Sequence, residues 1–169
     1  AATGDLLQEY PNTASAFELV VSDGILYAAV DPDMELCDYN QQNANCWKER
    51  DRASGLFGWL QEEGGRIITA LRTDDAETLW QHESPVAPMS LAADAQKVCF
   101  YDGDTVVALN RLSGEELWKT DVLNIQRIPT GSTGPRLILE KDSVILSPSG
   151  NIVALANDTG EVVWTVQGK

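Results

Sequence analysis

Three segments of the chain align with one another without gaps, and this internal repeat limits the possible fold more than any other feature. The segments read ITALRTDDAETLW, VVALNRLSGEELW and IVALANDTGEVVW. In each one an alanine precedes a tryptophan by ten positions, and the pairs are Ala70 and Trp80, Ala108 and Trp118, and Ala154 and Trp164. Self-similarity of this kind is typical of repeat architectures, in which every copy folds into the same supersecondary unit.

Each copy predicts a β-hairpin, because a strand carrying Ala-Leu runs into a turn before the chain returns to the tryptophan. Two of the turns contain Ser113-Gly114 and Thr159-Gly160, which supply a hydroxyl acceptor and a glycine that takes positive φ readily. The first copy has Asp75-Ala76 instead, so its turn must avoid or strain the positive-φ position. The small alanine leaves room for a neighbouring sheet, and the indole fills the gap and donates a hydrogen bond. We therefore expect the hairpins to stack through their tryptophans.

A further strand pair precedes each hairpin. The stretches AFELVVSDGILYAAV, MSLAADAQKVCFYDG and RLILEKDSVILSPSG each contain two short apolar runs broken by a polar turn. Every unit therefore has about four antiparallel strands. The three repeat tryptophans are separated by 38 and 46 residues, which is close to the period of roughly 40 to 50 residues that propeller blades have.

The start of the chain aligns with the later turns, since Thr3-Gly4 matches the hydroxyl and glycine and places Gln8 at the tryptophan position. The fold class is therefore all-β, a partial β-propeller of about three four-stranded antiparallel blades plus one orphan N-terminal strand. The expected units are residues 1–13 as the terminal strand of a preceding blade, and blades at residues 14–84, 85–123 and 124–169.

The first blade carries an insertion at residues 31–65, which we expect to form a short helix or a loop. Its aromatic residues, including Trp47, Phe57 and Trp59, either pack on the propeller or form an exposed patch for a partner or a lid over a pocket. Cys37 and Cys46 bracket a polar loop and are a candidate disulfide in an oxidising compartment. Cys99 lies in the apolar run KVCFY, which predicts a buried small hydrophobic residue.

The repeat resembles the tryptophan-docking motif Ala-x-Asp-x-x-Thr-Gly-x-x-x-Trp of the PQQ-like, or quinoprotein-type, β-propeller family. The copies ending at Trp118 and Trp164 match its alanine, hydroxyl, glycine and tryptophan, and the copy ending at Trp80 matches only the alanine and tryptophan. The aspartate of the motif is replaced by Arg72, Asn110 and Ala156. The family contains PQQ-dependent dehydrogenases and also non-catalytic propellers similar to an outer-membrane assembly scaffold lipoprotein.

Catalytic members of that family present a vicinal cysteine disulfide, calcium or lanthanide ligands and a catalytic aspartate at the propeller axis. The sequence has no Cys-Cys pair and no stretch that matches those ligands, so the resemblance assigns no catalytic, cofactor-binding or metal-binding residue. PQQ and calcium would belong only to a complete homologous propeller.

The resemblance implies a non-catalytic scaffold or protein-interaction module within a larger, extracytoplasmic protein of bacterial style. Its partner would be another protein or the remaining blades, and the open blade edges also allow homo-oligomers. Two alternatives stay open: a fragment of a PQQ-dependent dehydrogenase whose ligands lie outside the chain, and small-ligand or glycan binding through the aromatic insertion.

The charge balance disfavours two classes of partner. The chain has 26 acidic and 12 basic residues, a formal net charge of −14, which repels nucleic-acid backbones and anionic membranes over most of the surface. No run reaches the roughly 20 apolar residues of a membrane helix. The start AATGDLLQEY lacks the features of a signal peptide, so we expect any export signal to lie upstream or to have been removed.

Three other candidate sites are weak. The sequence offers no nucleophile or metal site that could act together with His82 and Glu83. This favours a surface histidine at a strand end. Asp31, Asp33, Glu35 and Asp38 form an acidic stretch that fails the EF-hand pattern and reads as a solvated loop rather than a calcium site. Asn157 satisfies an N-glycosylation pattern, but it occupies the third hairpin turn, where asparagine is expected for backbone reasons.

Overall fold

The computed structural model describes residues 3–32, 65–120, 135–147 and 151–167, and all regular structure in these ranges is β-strand. The strands are β1 (Ala16–Ser22), β2 (Ile25–Val30), β3 (Ile67–Arg72), β4 (Thr78–Glu83), β5 (Ala92–Ala93), β6 (Lys97–Tyr101), β7 (Val106–Asn110), β8 (Glu116–Lys119), β9 (Arg136–Glu140), β10 (Ser143–Ser147), β11 (Asn151–Ala156) and β12 (Val162–Gln167).

The strands form three four-stranded antiparallel sheets, each a simple meander. Sheet 1 contains β1 to β4, sheet 2 contains β5 to β8, and sheet 3 contains β9 to β12. The predicted all-β architecture of about three four-stranded blades is confirmed. The two central strands of sheet 2, KVCFY and VVALN, are buried almost throughout, as expected for apolar runs that are covered on both faces.

The sheets pack face to face through two apolar clusters. One lies between sheets 1 and 2 and includes Tyr27, Ile68, Phe100 and Leu109. The other lies between sheets 2 and 3 and includes Tyr101, Val106, Leu137, Leu146 and Leu155. The first strands β1, β5 and β9 contact one another in succession. Sheets 1 and 2 therefore each bury one face against the following sheet, which is the arrangement of successive propeller blades.

The insertion lies between β2 and β3, two strands that are neighbours in sheet 1. Residues 33–64 fall outside the described ranges, and with them the candidate disulfide of Cys37 and Cys46 and the aromatic residues Trp47, Phe57 and Trp59. Cys99 is a free, buried cysteine, as the sequence predicts, and burial raises the pKa of Cys99 to about 12.

The N-terminal segment from Thr3 to Ser15 has no strand assigned to it, and Leu6 and Leu7 are 76% and 78% exposed. The orphan strand expected here pairs with none of the three sheets. Within the described ranges, no helix is long and apolar enough to cross a membrane.

Candidate functional site

The tryptophans of sheets 1 and 2 each lie against a glycine of the following sheet. A Cβ on Gly114 would stand 2.8 Å from Cδ2 of Trp80, and a Cβ on Gly160 would stand 2.9 Å from Cδ2 of Trp118. Both glycines have positive φ, 73° and 72°. Glycine is therefore needed at these positions for its conformation and also for the space that the indole ring occupies.

The indole N–H groups complete this arrangement. Nε1 of Trp80 donates to the carbonyl of Arg111 at 2.9 Å, and Nε1 of Trp118 donates to the carbonyl of Asn157 at 3.1 Å. We call the ring on the glycine together with this hydrogen bond the tryptophan contact. Within its own sheet, Trp80 pairs across the hairpin with Ala70, and Trp118 pairs with Ala108. Both alanines are fully buried.

The three hairpin turns share one backbone conformation. The amides of Ala76, Gly114 and Gly160 donate to the carbonyls four residues earlier at 3.0, 2.9 and 2.9 Å. The hydroxyls of Ser113 and Thr159 accept from the second amide along at 3.3 Å.

The first turn reaches the same conformation with different residues. A carboxylate oxygen of Asp75 replaces the hydroxyl and accepts from the amide of Glu77 at 3.0 Å. Ala76 takes the glycine position with a φ of 60°, so of the two outcomes that the sequence allowed, the turn adopts the strained one. An L residue in this region costs about 1 to 2 kcal/mol.

Tyr10 makes at the first turn the hydrogen bond that a tryptophan makes at the other two. Its hydroxyl donates to the carbonyl of Thr73 at 3.1 Å, and Thr73 corresponds in the repeat to Arg111 and Asn157. The sequence alignment placed Gln8 at the tryptophan position, but Gln8 is exposed and Tyr10 makes the bond. The available signal was that Tyr10 is the only aromatic residue before Phe17.

Polar side chains reinforce the two junctions differently. Between sheets 1 and 2, Nη1 of Arg111 lies 3.1 Å from the carboxylate of Asp23, and within sheet 2 it also donates to the carbonyl of Ala95 at 3.0 Å. Between sheets 2 and 3, Nζ of the buried Lys97 donates to the carbonyl of Asn157, which also accepts from Trp118.

The two ends of the sheets are unlike. At one end, the turn end, tight turns join β1 to β2 and β3 to β4, and the amide of Thr73 bonds the carbonyl of Gly24 at 2.9 Å. At the opposite end, the loop end, lie the connections from β2 to β3, which carries the insertion, and from β4 to β5. Because the strands alternate in direction, these two connections leave sheet 1 side by side.

Arg66 holds the base of the insertion at the loop end. Its Nε lies 3.3 Å from the carboxylate of Asp31, its Nη1 donates to the carbonyl of Val86 at 2.7 Å, and its guanidinium carbon lies 4.7 Å from the ring centre of Phe17. Burial lowers the pKa of Arg66, and the charge of Asp31 opposes that shift. The two ends of the insertion are thereby fixed to each other and to sheet 1.

The family follows from a comparison of the sequence with protein-family models. A model described as outer membrane protein assembly factor BamB matches residues 63–169. The chain belongs to the PQQ-like β-propeller family. No curated protein sequence matches it.

Solved structures share the propeller fold at low sequence identity. BamB from Moraxella catarrhalis has a TM-score of 0.50 at 17% identity, over 88% of this chain and 35% of that one. A europium-containing methanol dehydrogenase has a TM-score of 0.53 at 15% identity, over 94% and 27%. Quinohemoprotein alcohol dehydrogenase from Comamonas testosteroni has a TM-score of 0.53 at 20% identity, over 92% and 22%. The chain spans about a third or less of the length of these structures.

The remaining candidate residues of this PQQ-like propeller segment lie apart from one another. Asp31 is paired with Arg66, and the described residues contain no group of three side chains able to hold a metal ion; Asp33, Glu35 and Asp38 lie outside those ranges. The side chain of Asn157 donates to the carbonyl of Lys141 at 3.1 Å within the turn end.

His82 lies at the junction of sheets 1 and 2, while the neighbouring Glu83 is exposed at the end of β4. The ring centres of His82 and Phe100 are 5.8 Å apart. Burial lowers the pKa of His82, Glu116 opposes that shift, and Lys119 adds to it. The histidine is therefore half-buried in an inter-sheet contact, deeper than the surface position that the sequence favoured.

Glu18 is a residue that the sequence reasoning missed. It lies on β1 and accepts from the amide of Leu91, on the connection to sheet 2, at 3.1 Å. Burial raises the pKa of the Glu18 carboxyl, and hydrogen bonds from the amides of Leu91, Met89 and Ser90 together with the charge of Arg136 oppose that shift. A glutamate inside the apolar run AFELVV was the only signal for this contact.

Proposed function

We propose that this PQQ-like propeller segment is a non-catalytic scaffold that binds another protein through the loop end, within a larger extracytoplasmic protein. The observation that carries the proposal is the contrast between the two ends of the sheets. Tight turns occupy the turn end, whereas the insertion emerges at the loop end from a base fixed by Arg66 and Asp31. Binding residues are commonly presented on loops that a rigid scaffold positions.

The family match supports the interaction role and the location. The matching model is described as an outer membrane protein assembly factor, a description that fits a protein acting at the cell envelope by contacting other proteins. The acidic surface, with a formal net charge of −14, favours a partner that presents basic residues.

Site-specific photo-crosslinking in cells tests the proposed surface. A photoreactive residue replaces Glu83, which is exposed at the loop end, and in a matched control it replaces Leu112, which is 63% exposed at the turn end. We expect one discrete protein adduct from position 83 and none from position 112. Adducts from position 112 alone, or no adduct from either position, would contradict the assignment of the loop end.

A second assay separates the scaffold from a quinoprotein enzyme. Purified protein is mixed with PQQ, calcium and an electron-accepting dye, and alcohols or sugars are then added. We expect no substrate-dependent reduction of the dye, and reduction would overturn the non-catalytic role. Cell fractionation with envelope and cytosolic markers tests the location separately.

A further inference from the structure

Met89 connects all three sheets at the loop end. It lies on the connection from β4 to β5, and its amide donates to the carboxylate of Glu18 on β1. Its Sδ lies 2.9 Å from Nη1 of Arg136, which belongs to β9 of sheet 3. One residue of the segment that leads into sheet 2 therefore contacts sheet 1 through its backbone and sheet 3 through its side chain.

The backbone around Met89 is held by several hydrogen bonds in a conformation that residues with a side chain rarely adopt. Met89 has a φ of 65°, which lies in the left-handed region. The amide of Ser90 also donates to the carboxylate of Glu18. The buried hydroxyl of Ser90 donates to the carbonyl of Ala87 at 2.6 Å and accepts from the amide of Tyr101 at 3.2 Å. These bonds fix the segment from which the side chain of Met89 reaches sheet 3.

The contact between Met89 and Arg136 is weak in the reduced protein, because a thioether sulfur is a poor hydrogen-bond acceptor. Oxidation to the sulfoxide makes this side chain polar and adds an oxygen. A hydrogen bond from a charged guanidinium to such an oxygen is stronger than the contact with sulfur. Met89 is 49% exposed, so a peroxide in solution reaches its side chain, and the oxygen has room to turn towards Arg136.

We propose that Met89 is a site of oxidation by peroxides, and that its sulfoxide oxygen accepts a hydrogen bond from Arg136 and joins sheets 2 and 3 more tightly at the loop end. With hydrogen peroxide, the sulfur attacks one oxygen, so that an S–O bond forms and the O–O bond breaks. The sulfur loses two electrons, and the departing hydroxide takes the proton of the transferred oxygen to give water. The modification does not depend on the proposed binding of a partner.

The other sulfur-containing residues are kept apart from Met89 in the test. Cys99 is fully buried and burial raises its pKa to about 12, so it holds little of the thiolate that reacts with peroxides. Met34, the other methionine of the chain, lies outside the described residues. The parent protein for the test therefore carries Met34→Leu, which leaves Met89 as its only methionine.

The first measurement is the rate of oxidation. The folded parent protein is treated with hydrogen peroxide, and mass spectrometry of proteolytic peptides follows the sulfoxide at Met89, with N-acetylmethionine amide as the reference compound. We expect a rate within about tenfold of the reference, because susceptibility follows exposure. Protection of Met89 by more than about tenfold would overturn the proposal.

The second measurement is the effect of oxidation on stability. Urea denaturation compares oxidised and reduced protein in the parent and in Arg136→Ala, and Met89→Leu given the same treatment corrects for oxidation elsewhere. We expect oxidation to lower the equilibrium constant of unfolding about two- to fivefold in the parent and not to lower it in Arg136→Ala. An equal effect in both proteins, or a loss of stability in the oxidised parent, would overturn the proposal.

Met89→Gln tests the same bond without oxidation and without a change at Arg136, in case Arg136→Ala does not fold. Glutamine has an unbranched side chain that ends in a carbonyl oxygen, which is a good hydrogen-bond acceptor. We therefore expect Met89→Gln to unfold at a higher urea concentration than Met89→Leu. An equal or lower urea midpoint for Met89→Gln would show that an oxygen at this position does not strengthen the contact, and it would overturn the proposal.

Discussion

The junction between sheets 1 and 2 and the junction between sheets 2 and 3 share one backbone geometry but differ in their polar side chains. Both place an indole on a positive-φ glycine and its N–H on a turn carbonyl. The first adds the ion pair of Arg111 with Asp23 and the carboxylate of Glu18, and the second adds the buried amine of Lys97. The tryptophan contact is therefore the same at both junctions, while the surrounding polar groups differ from one junction to the next.

Removal of the indoles should break both junctions about equally. Trp80→Ala and Trp118→Ala are each expected to lower the free energy of unfolding by about 3 to 5 kcal/mol, the usual cost of truncating a buried tryptophan. Trp164→Ala is the matched control, because its ring is 43% exposed, and it should cost only about 1 to 2 kcal/mol. Urea denaturation measures all three, and an equal cost at Trp164 would mean that burial against the next sheet contributes little.

Adding a methyl group to the glycine that contacts the indole should also destabilise a junction. Gly114→Ala is expected to cost between about 2 and 5 kcal/mol, because backbone strain adds to overpacking against Trp80. Gly24→Ala provides the control, since Gly24 has a φ of 76° but its nearest neighbour, Thr73 Oγ1, is 3.8 Å from the added Cβ. It should show the strain alone, about 1 to 2 kcal/mol. Equal losses for the two variants in urea denaturation would argue against the ring contact.

The polar groups should distinguish the junctions. Arg111→Ala removes an ion pair and bonds to the carbonyls of Asp23 and Ala95, and should cost about 1 to 2 kcal/mol. Lys97→Met should change the free energy of unfolding by less than about 1 kcal/mol, because the carbonyl of Asn157 keeps its bond from Trp118. Thermal unfolding measures the loss of stability in both variants. A larger loss for Lys97→Met than for Arg111→Ala would contradict this ranking.

The smallest effect should be a dependence on pH at the first junction. Burial raises the pKa of Glu18 above its ordinary value of 4.5, so the stability that its protonated form contributes is present below pH 4.5 and is lost as the pH rises through the folded-state pKa. Relative to Glu18→Gln, wild type should therefore gain stability as the pH falls from neutral towards 4.5. Urea denaturation across this pH range measures the difference in unfolding free energy between wild type and Glu18→Gln. A difference that does not change with pH would show that Glu18 has the same pKa in the folded and unfolded states.

The sequence was sufficient to predict the sheets because the repeat positions are dictated by local chemistry. A glycine or hydroxyl in a turn and an alanine opposite a tryptophan restrict the backbone wherever they occur, so Gly114 and Gly160 could be aligned without a structure. Tyr10, which replaces the tryptophan as the hydrogen-bond donor at the first turn, could not be identified in this way. Tyr10 lies two residues beyond the aligned position, and only the three-dimensional path of the N-terminal segment brings its hydroxyl to Thr73.

Contacts between distant residues were equally beyond the reach of the sequence. Arg66 meets Asp31 across the insertion, and Glu18 meets Leu91 across two sheets. No local spacing relates the members of either pair, because the packing of the sheets determines them. The loop end could likewise not be predicted from the sequence, because it is defined by the order and direction of the strands in sheet 1.

A double-mutant cycle between Trp118 and Gly160 tests most directly the central claim that each indole occupies the space a glycine leaves in the next sheet. In the wild-type background, Gly160→Ala should cost between about 2 and 5 kcal/mol of unfolding free energy, from strain together with overpacking. In the Trp118→Ala background the ring is gone, and the same change should cost only the strain, about 1 to 2 kcal/mol. Equal costs in the two backgrounds would contradict the contact on which the whole arrangement depends.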